Sequence, residues 1–509
     1  MSSYFLFFTA LFCGVILAHF HLYALQNSGY HTIFKLKKVI LSVALPITEG
    51  LLGYFLWEHT LILDYSVSSV SLLCGVVALV LYLKKRTKFR FTARGLRVAI
   101  PFYLLSVIIL SLIFFFPKFK HLFASLSAYG GYLILALVNG VIAPFEHNRN
   151  AKYATLRTEP LRKESIIRVV ITGSYGKTTC RRILSELLKS KYEVVSSINN
   201  YNTPLGLVRS VENHLEVLNS AENLTKTLIF IGEAGAKRKG DISEMCRLIA
   251  PSYGIITGVA EQHLDSFRTI ERVASTKEEL AKYVGASGTV VFNVDNPHVH
   301  AMSERFSGKA VNVGRGGDIQ IENLKMTARG STFNLRVGDE VIPIKTELLG
   351  AHNVLNIALC VALALELKVD KWEIQSACAR LKAEPHRLER RVSGTITILD
   401  DGYNANIMGV RSALKVLGEM DGRKVIYAQG IVECGAKRRK LNREVGRLIS
   451  GVAGVVILSG ENAKIISKAL KKSGFQGKIY KFSSLMHATS EFKNILKSGD
   501  ILYLQNDIP

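Results

Sequence analysis

The first 150 residues hold five apolar stretches of near-spanning length, at about 3–25, 38–57, 62–83, 98–117 and 122–144. A bilayer core roughly 30 Å thick takes ~20 apolar residues as a helix, and lipid forces the backbone to satisfy its own hydrogen bonds. The spacing therefore predicts five transmembrane helices. The first stretch has the length of a signal peptide, but no small-residue cleavage site precedes the next one. Lys35, Lys37 and Lys38 follow the first stretch, and Lys84, Lys85, Arg86, Lys88, Arg90, Arg94 and Arg97 follow the third. The loop after the second, around Glu58 to Asp64, has neither Lys nor Arg. The positive-inside bias then places a multi-pass chain in the cell membrane, its N-terminus outside and everything past about residue 145 in the cytoplasm. Lys118 and Lys120, in the short fourth loop, run against that orientation. Glu49 and Glu146, near span ends, read as interfacial charges or as a transport site.

Composition agrees with a basic, membrane-bound chain. There are 65 Lys+Arg against 41 Asp+Glu, a net charge of +24. Nucleic acid is the usual partner for such an excess, but no nucleic-acid recognition motif is present, so no nucleic-acid partner is expected. The seven cysteines lack C-x-x-C pairs, which argues against a disulfide scaffold and a zinc site and suits a reducing compartment.

Past the apolar region, Ile171 to Thr179 reads I-T-G-S-Y-G-K-T-T. Ile166 to Ile171 is a β-branched run that predicts a buried strand, and Cys180 to Tyr192 has helical apolar spacing. Strand, glycine turn and helix in that order make a phosphate-binding loop. Gly173, Ser174, Gly176 and Thr179 belong to the turn whose N–H groups face an anion; Lys177 reaches β and γ phosphates and Thr178 holds Mg²⁺. The spacing departs from the standard loop, which wants glycine where Ile171 stands.

Strand-like runs then alternate with helical ones at Glu193 to Ile198, Leu228 to Ile231, Tyr253 to Val259 and Thr289 to Val294, which predicts a parallel sheet covered by helices. A β insertion is expected at about 311–347, and a buried helix at about Asn353 to Leu367. A second α/β series follows with Thr395 to Leu399, Val425 to Tyr427, Val455 to Leu458 and Ile501 to Leu504. The expected organisation is a membrane region over 1–150, a central P-loop α/β domain over 160–386 and a C-terminal Rossmann-like α/β domain over 387–509, with a cleft between the last two. Glu233 falls at a parallel-strand end, where such folds bind ligands. His263 follows the next strand with Glu261 and Asp265 nearby; it reads as a metal ligand or as a satisfied surface histidine.

An ordered set of motifs over roughly residues 165 to 509 resembles the Mur ligase family of ATP-dependent amide-bond-forming enzymes. The resemblance rests on T-G-S-Y-G-K-T-T (172–179), N-N-Y-N-T-P-L-G-L (199–207), I-G-E-A-G (231–235) and T-G-V-A-E-Q-H-L-D-S-F (257–267). It continues through S-T-K-E-E-L (275–280), N-V-D-N (293–296), G-A-H-N-V-L-N (350–356), P-H-R-L-E (385–389) and D-D-G-Y-N-A-N (400–406). The last is similar to the branch that adds D-alanyl-D-alanine to the peptidoglycan precursor tripeptide.

The resemblance implies ATP and Mg²⁺ as cofactors. It makes Lys177 the phosphate lysine, and Thr178, Glu233 and His263 metal ligands, with His263 and Lys277 in the catalytic set. Lys277 falls where many members carry a carbamoylated lysine; an unmodified surface lysine is the other reading. Asn293 and Asp295 match the adenine-contacting region, Asn353 and Asn356 the helix start beside the nucleotide, and Arg387 the hinge arginine. Asp401, Tyr403, Asn404 and Asn406 match the loop that closes over nucleotide and amine. The implied activity activates a carboxylate as an acyl phosphate, which an amine then displaces.

Two departures stand out. His386 replaces a usual glycine, and the apolar spans occupy the place of the family's uridine-diphosphate-gripping domain. The acceptor is therefore expected to be a nucleotide- or lipid-linked cell-envelope precursor, the amine an amino acid or dipeptide, and the lipid bilayer a partner. Alternatives are a polyglutamate-type or amidating ligase on the same scaffold, or an ATP-driven transporter. The transporter lacks its paired signature motif and hydrophobic-strand Asp-Glu, and a non-catalytic scaffold would have lost Lys177 or His263.

Overall fold

The computed structural model divides the chain into two units, 1–152 and 153–509. The structure describes residues 2–27, 47–49, 51, 54–55, 60–83, 90, 92–198, 201–261, 267–402, 407–432 and 437–505. Most of the stretch 38–57, the basic cluster 84–88, His263, Asp265, Tyr403, Asn404, Asn406 and Cys434 lie outside the described residues.

The first unit is helical: α1 (Ser2–Asn27), α2 (Thr60–Leu83), α3 (Ala93–Phe115), α4 (Lys120–Tyr129) and α5 (Gly131–Arg157), the last running into the second unit. Five spans are expected from sequence. Among the described residues, Ser3–Gln26 and Ala93–Phe115 are long and apolar enough to cross a membrane, and a third span exists if the bent pair Pro117–Ala128 plus Gly131–Arg157 counts as one. That pair corrects the straight helix expected over 122–144. The chain bends by 67° between its two parts, at Gly130 and Gly131, where two poor helix formers adjoin.

Several buried charges of the first unit are paired among the described residues. Asp64 accepts from Lys120 Nζ at 2.6 Å and lies 2.7 Å from His121 Nε2, all three groups buried. Glu146 is gripped by Arg97 at 2.5 Å and Arg149 at 2.8 Å, and Glu49 accepts from Ser125.

The second unit contains two sheets. The first runs β2-β3-β1-β4-β5-β6-β7-β8-β9 among the described residues. Its strands are β1 (Ile166–Thr172), β2 (Glu193–Ser196), β3 (Leu228–Ala234), β4 (Tyr253–Ile256), β5 (Thr289–Asn293), β6 (Lys309–Val313), β7 (Ile319–Thr327), β8 (Gly330–Val337) and β9 (Glu340–Thr346). Strands β1 to β6 pair in parallel, whereas β7, β8 and β9 form an antiparallel meander. The insertion expected from about 311 thus starts later, because β6 still belongs to the parallel set; Val313 pairs with Ile319 and carries the sheet straight into the meander.

Helices cover both faces of this sheet. One core packs Ile171, Ile229 and Ile255 against α6 (Lys177–Leu188) and α11 (Ala351–Glu366). The opposite core packs Val170, Phe230 and Ile256 against α7 (Pro204–Glu212), α8 (Asp241–Ile249), α9 (Ile270–Val284) and α10 (Pro297–Ser303). Alternate residues of one strand feed opposite cores, as the period of two demands. The sheet is followed by α12 (Lys371–Arg380).

The second sheet runs β10-β11-β15-β12-β13-β14, with β10 (Glu389–Ser393), β11 (Ile396–Asp401), β12 (Lys424–Ala428), β13 (Val455–Ser459), β14 (Lys478–Phe482) and β15 (Ile501–Gln505). Its helices include α13 (Ile407–Gly418), α14 (Arg438–Ser450) and α15 (Ala463–Lys472). Both edge strands escape the sequence reading. Glu-Arg-Arg-Val-Ser and Lys-Ile-Tyr-Lys-Phe lack the apolar run of a central strand, because an edge strand is buried on one side at most. The six described cysteines are free.

Phe230 is fully buried at the middle of β3. Phe230→Ala is expected to destabilise the second unit by about 3–5 kcal/mol, read as a lowered denaturant midpoint. An unchanged midpoint contradicts this packing.

Candidate functional site

The β1–α6 turn is shaped for an anion. Gly176 has φ 77°, and a Cβ there would stand 2.6 Å from Asn356 Oδ1, so only glycine fits without strain and without displacing the Asn356 side chain. The loop is pinned from behind by the β4 end. Ser174 N–H donates to the Gly258 carbonyl at 2.8 Å, Ser174 Oγ accepts from Ala260 N–H at 3.0 Å, and the Thr257 hydroxyl donates to the Tyr175 carbonyl. Asn293 holds this scaffold by donating to the Thr257 carbonyl at 2.8 Å. Its side chain is buried, and its Oδ1 has no partner among the described residues. Asn293 therefore sits behind the loop, not on the wall of the cavity in front of it.

At the first turn of α6, Lys177 Nζ donates to the Gly173 carbonyl at 2.8 Å, and Thr178 Oγ1 donates to Glu233 Oε2 at 2.9 Å. The register of β1 with β3 sets Ile171 opposite Glu233, so both strands deliver their last residues to one point. Arg181, one turn on, lies 3.8 Å from Glu233. Burial lowers the Lys177 ammonium below its ordinary range, with Glu233 working the other way.

Lys277, on α9, is buried and not the surface lysine of the other sequence reading. Burial first, then the nearby Lys177 charge, pushes it down to about 7. Its neighbour Glu279 is committed elsewhere, accepting from the Gly240 and Ser243 N–H groups at 2.7 and 3.0 Å.

A cavity of about 730 Å³ opens in front of the loop. Ser174, Gly176, Lys177, Thr178, Thr179, Glu233, Asp295, Asn353 and Asn356 line it from the central domain, and Arg387 and Asp401 from the C-terminal side. Burial raises the Asp401 carboxyl to about 6 despite the Tyr503 hydroxyl bonded to it. The two domains also touch at its wall, where His352 Nδ1 lies 2.8 Å from Ser412 Oγ, and elsewhere Lys437 pairs with Glu261. Burial drops His352 to about 4, so it is neutral at pH 7 and acts through hydrogen bonds, not charge.

Thr178 and Glu233 present hard oxygen donors that suit Mg²⁺, held together at the strand end by the Thr178–Glu233 hydrogen bond. His263, Tyr403, Asn404 and Asn406 lie outside the described residues.

Some cavity residues are missed by sequence reasoning. His352 stands inside the G-A-H-N-V-L-N motif, immediately before Asn353, which is picked out. Arg315 comes from the β6–β7 turn, where its N–H donates to Asp295 Oδ1 at 2.9 Å, and nothing local in the sequence marks it. At the hinge His386 takes φ 62°, the left-handed conformation that suits the glycine it replaces, and its ring lies 2.9 Å from buried Asp400.

Residues 171–364 match the Mur ligase middle domain, and residues 386–505 match the Mur ligase, glutamate ligase domain. The chain is 27% identical over 320 residues to the UDP-N-acetylmuramoyl-tripeptide–D-alanyl-D-alanine ligase of Haemophilus influenzae, covering 61% of this chain and 67% of that one. The chain spans between about half and two thirds of the length of the curated relatives it matches. Among solved structures it resembles MurF ligase from Thermotoga maritima in complex with ADP, at TM-score 0.60 and 26% identity over 70% of this chain and 80% of that one. MurF from Acinetobacter baumannii shares the fold at TM-score 0.62 and 22% identity, over 70% and 76% of the two chains.

Left-handed backbone costs a non-glycine residue about 1–2 kcal/mol. Gly176→Ala is therefore expected to weaken nucleoside triphosphate binding by about 5- to 30-fold, measured by calorimetry or fluorescent-nucleotide displacement. Unchanged affinity would mean that the loop is not the phosphate site.

Proposed function

Because the chain belongs to the Mur ligase family across residues 171–505, we propose that it is an ATP-dependent acid–amine ligase that adds D-alanyl-D-alanine to a peptidoglycan precursor. The observation that carries this reading is the convergence of Lys177, Thr178 and Glu233 on one strand-end cavity that Arg387 and Asp401 close from the second domain.

In that reaction the acceptor carboxylate attacks the γ-phosphoryl group, forming an acyl phosphate and ADP. The amine then attacks the acyl carbon, phosphate leaves, and an amide remains. Phosphoryl transfer gains most from positioning and from fixed positive charge. The loop N–H groups and Lys177 supply that charge where burial strengthens it, and Arg387 adds to it from the hinge. Thr178 and Glu233 would hold Mg²⁺, with His263 a third ligand by resemblance; the ion, when bound, neutralises phosphate charge. Contacts such as His352–Ser412 and Lys437–Glu261 bring the domains together, and closure keeps water from the acyl phosphate.

Lys277 is the carbamoylated residue in this reading. A lysine must be neutral to attack CO₂; with its value held at about 7, about half is neutral at pH 7, against less than one part in a thousand for an ordinary lysine. Protein equilibrated with ¹³C-bicarbonate is expected to show a carbamate carbon resonance that fades as pH falls below about 7 and is missing in Lys277→Ala. No such resonance in active wild type contradicts carbamoylation.

The acceptor is lipid-linked and the enzyme works at the cytoplasmic membrane face. This is supported by the helical first unit, with its two membrane-length apolar helices, standing ahead of the matched domains. Detergent-purified protein is expected to release ADP only when acid and amine are both supplied, with lipid-linked acceptor used in preference to the soluble nucleotide tripeptide. Lys177→Ala is expected to abolish that release. Equal use of both acceptors removes the lipid-linked reading alone, and ADP release that ignores acid and amine removes the ligase.

A further inference from the structure

The chain's positive charge is unevenly placed. From residue 386 onward there are 21 Lys+Arg against 11 Asp+Glu, yet the catalytic cavity uses few of them. Helices α14 and α15 alone hold nine Lys or Arg and one acid. On α14, Lys440, Arg443 and Arg447 recur at helical spacing and are exposed; on α15, Lys464, Lys468 and Lys471 do the same. The opposite sides of both helices, including Val445, Ile449, Ile466 and Leu470, are buried in the domain core.

The two stripes form one surface because the helices pack closely. A Cβ on Gly446 would stand 2.7 Å from Ala469 Cβ and 2.8 Å from the Ile466 carbonyl, so glycine sets the approach. The acids nearby do not neutralise the surface: Glu444 pairs with Arg411 on α13, and Glu461 with Arg438. None of the six stripe residues forms an ion pair among the described residues.

We propose that the α14–α15 face docks on an anionic lipid bilayer, resting on the membrane anchorage proposed above. Each Lys or Arg near an anionic leaflet favours association by roughly fivefold, within a screening length of about 8 Å. A bilayer is the occupant that anchorage by residues 1–152 keeps at hand. Nucleic acid shares the charge complementarity, but the chain has no motif to recognise it.

The test footprints lysines in the full chain reconstituted in nanodiscs of phosphatidylcholine, with or without phosphatidylglycerol, using an amine-reactive label and mass spectrometry. Labelling of Lys440, Lys464 and Lys471 is expected to fall severalfold in the anionic discs and to recover at high salt. An Arg443→Glu/Arg447→Glu/Lys468→Glu variant is expected to lose the protection, while Arg443→Lys/Arg447→Lys keeps it. Equal labelling in both discs overturns the proposal, as does protection that survives charge reversal, or protection that appears only with added RNA. If the chain proves soluble without lipid, the anchor fails separately, and salt-sensitive flotation with phosphatidylglycerol vesicles still decides the face.

Discussion

Lys177, Arg181 and Lys277 are gathered around Glu233 at the carboxyl ends of β1 and β3, and burial works against the charge of all three. Glu279, the other nearby buried acid, spends both oxygens on the start of α8. Buried charge is tolerated only where something compensates it, and here the cavity in front of the loop leaves room for a polyanion. Much of the surrounding architecture serves to hold this arrangement. The β1–β3 register aligns Glu233 with the loop, the β4 end braces Ser174 and Tyr175, and Asn356 on α11 packs against Gly176.

The second domain adds what the loop lacks. Arg387 and Asp401 reach the same cavity from the second sheet, and the domains meet through polar pairs such as His352–Ser412 and Lys437–Glu261 and through Leu349, which packs into the C-terminal core. Such contacts allow opening and closing, as a ligase that must admit two further substrates and then exclude water requires. The low value of His352 fits this role, since a neutral ring exchanges hydrogen bonds without carrying charge through the motion.

The central strands and their helices were legible because each strand is buried on both faces, which forces a continuous β-branched run; Ile166 to Ile171 and Leu228 to Ile231 are examples. Edge strands β10 and β14 were not, since their exposed sides carry Arg and Lys. The bend at Gly130 and Gly131 was hidden because hydropathy over 122–144 stays high across the break. In the site, Lys177, Thr178 and Glu233 could be named from motifs tied to local backbone geometry. Arg315 could not, because it reaches the cavity through the β6–β7 turn. Asn293 was picked out by motif, but burial assigns it to the wall behind the loop. The depressed value of Lys277 arises from burial and then from Lys177, distant in sequence, and appears only once the sheet is assembled.

The central claim is that this cavity joins an acid to an amine through an acyl phosphate, and following oxygen tests it most directly. With the acceptor carboxylate labelled with ¹⁸O, attack on the γ-phosphoryl group carries one labelled oxygen into the mixed anhydride, and that oxygen leaves with phosphate when the amine attacks carbon. The account predicts one ¹⁸O in each inorganic phosphate released. Phosphate free of label, with both labelled oxygens accounted for in the carboxyl-derived product or in water, would contradict it.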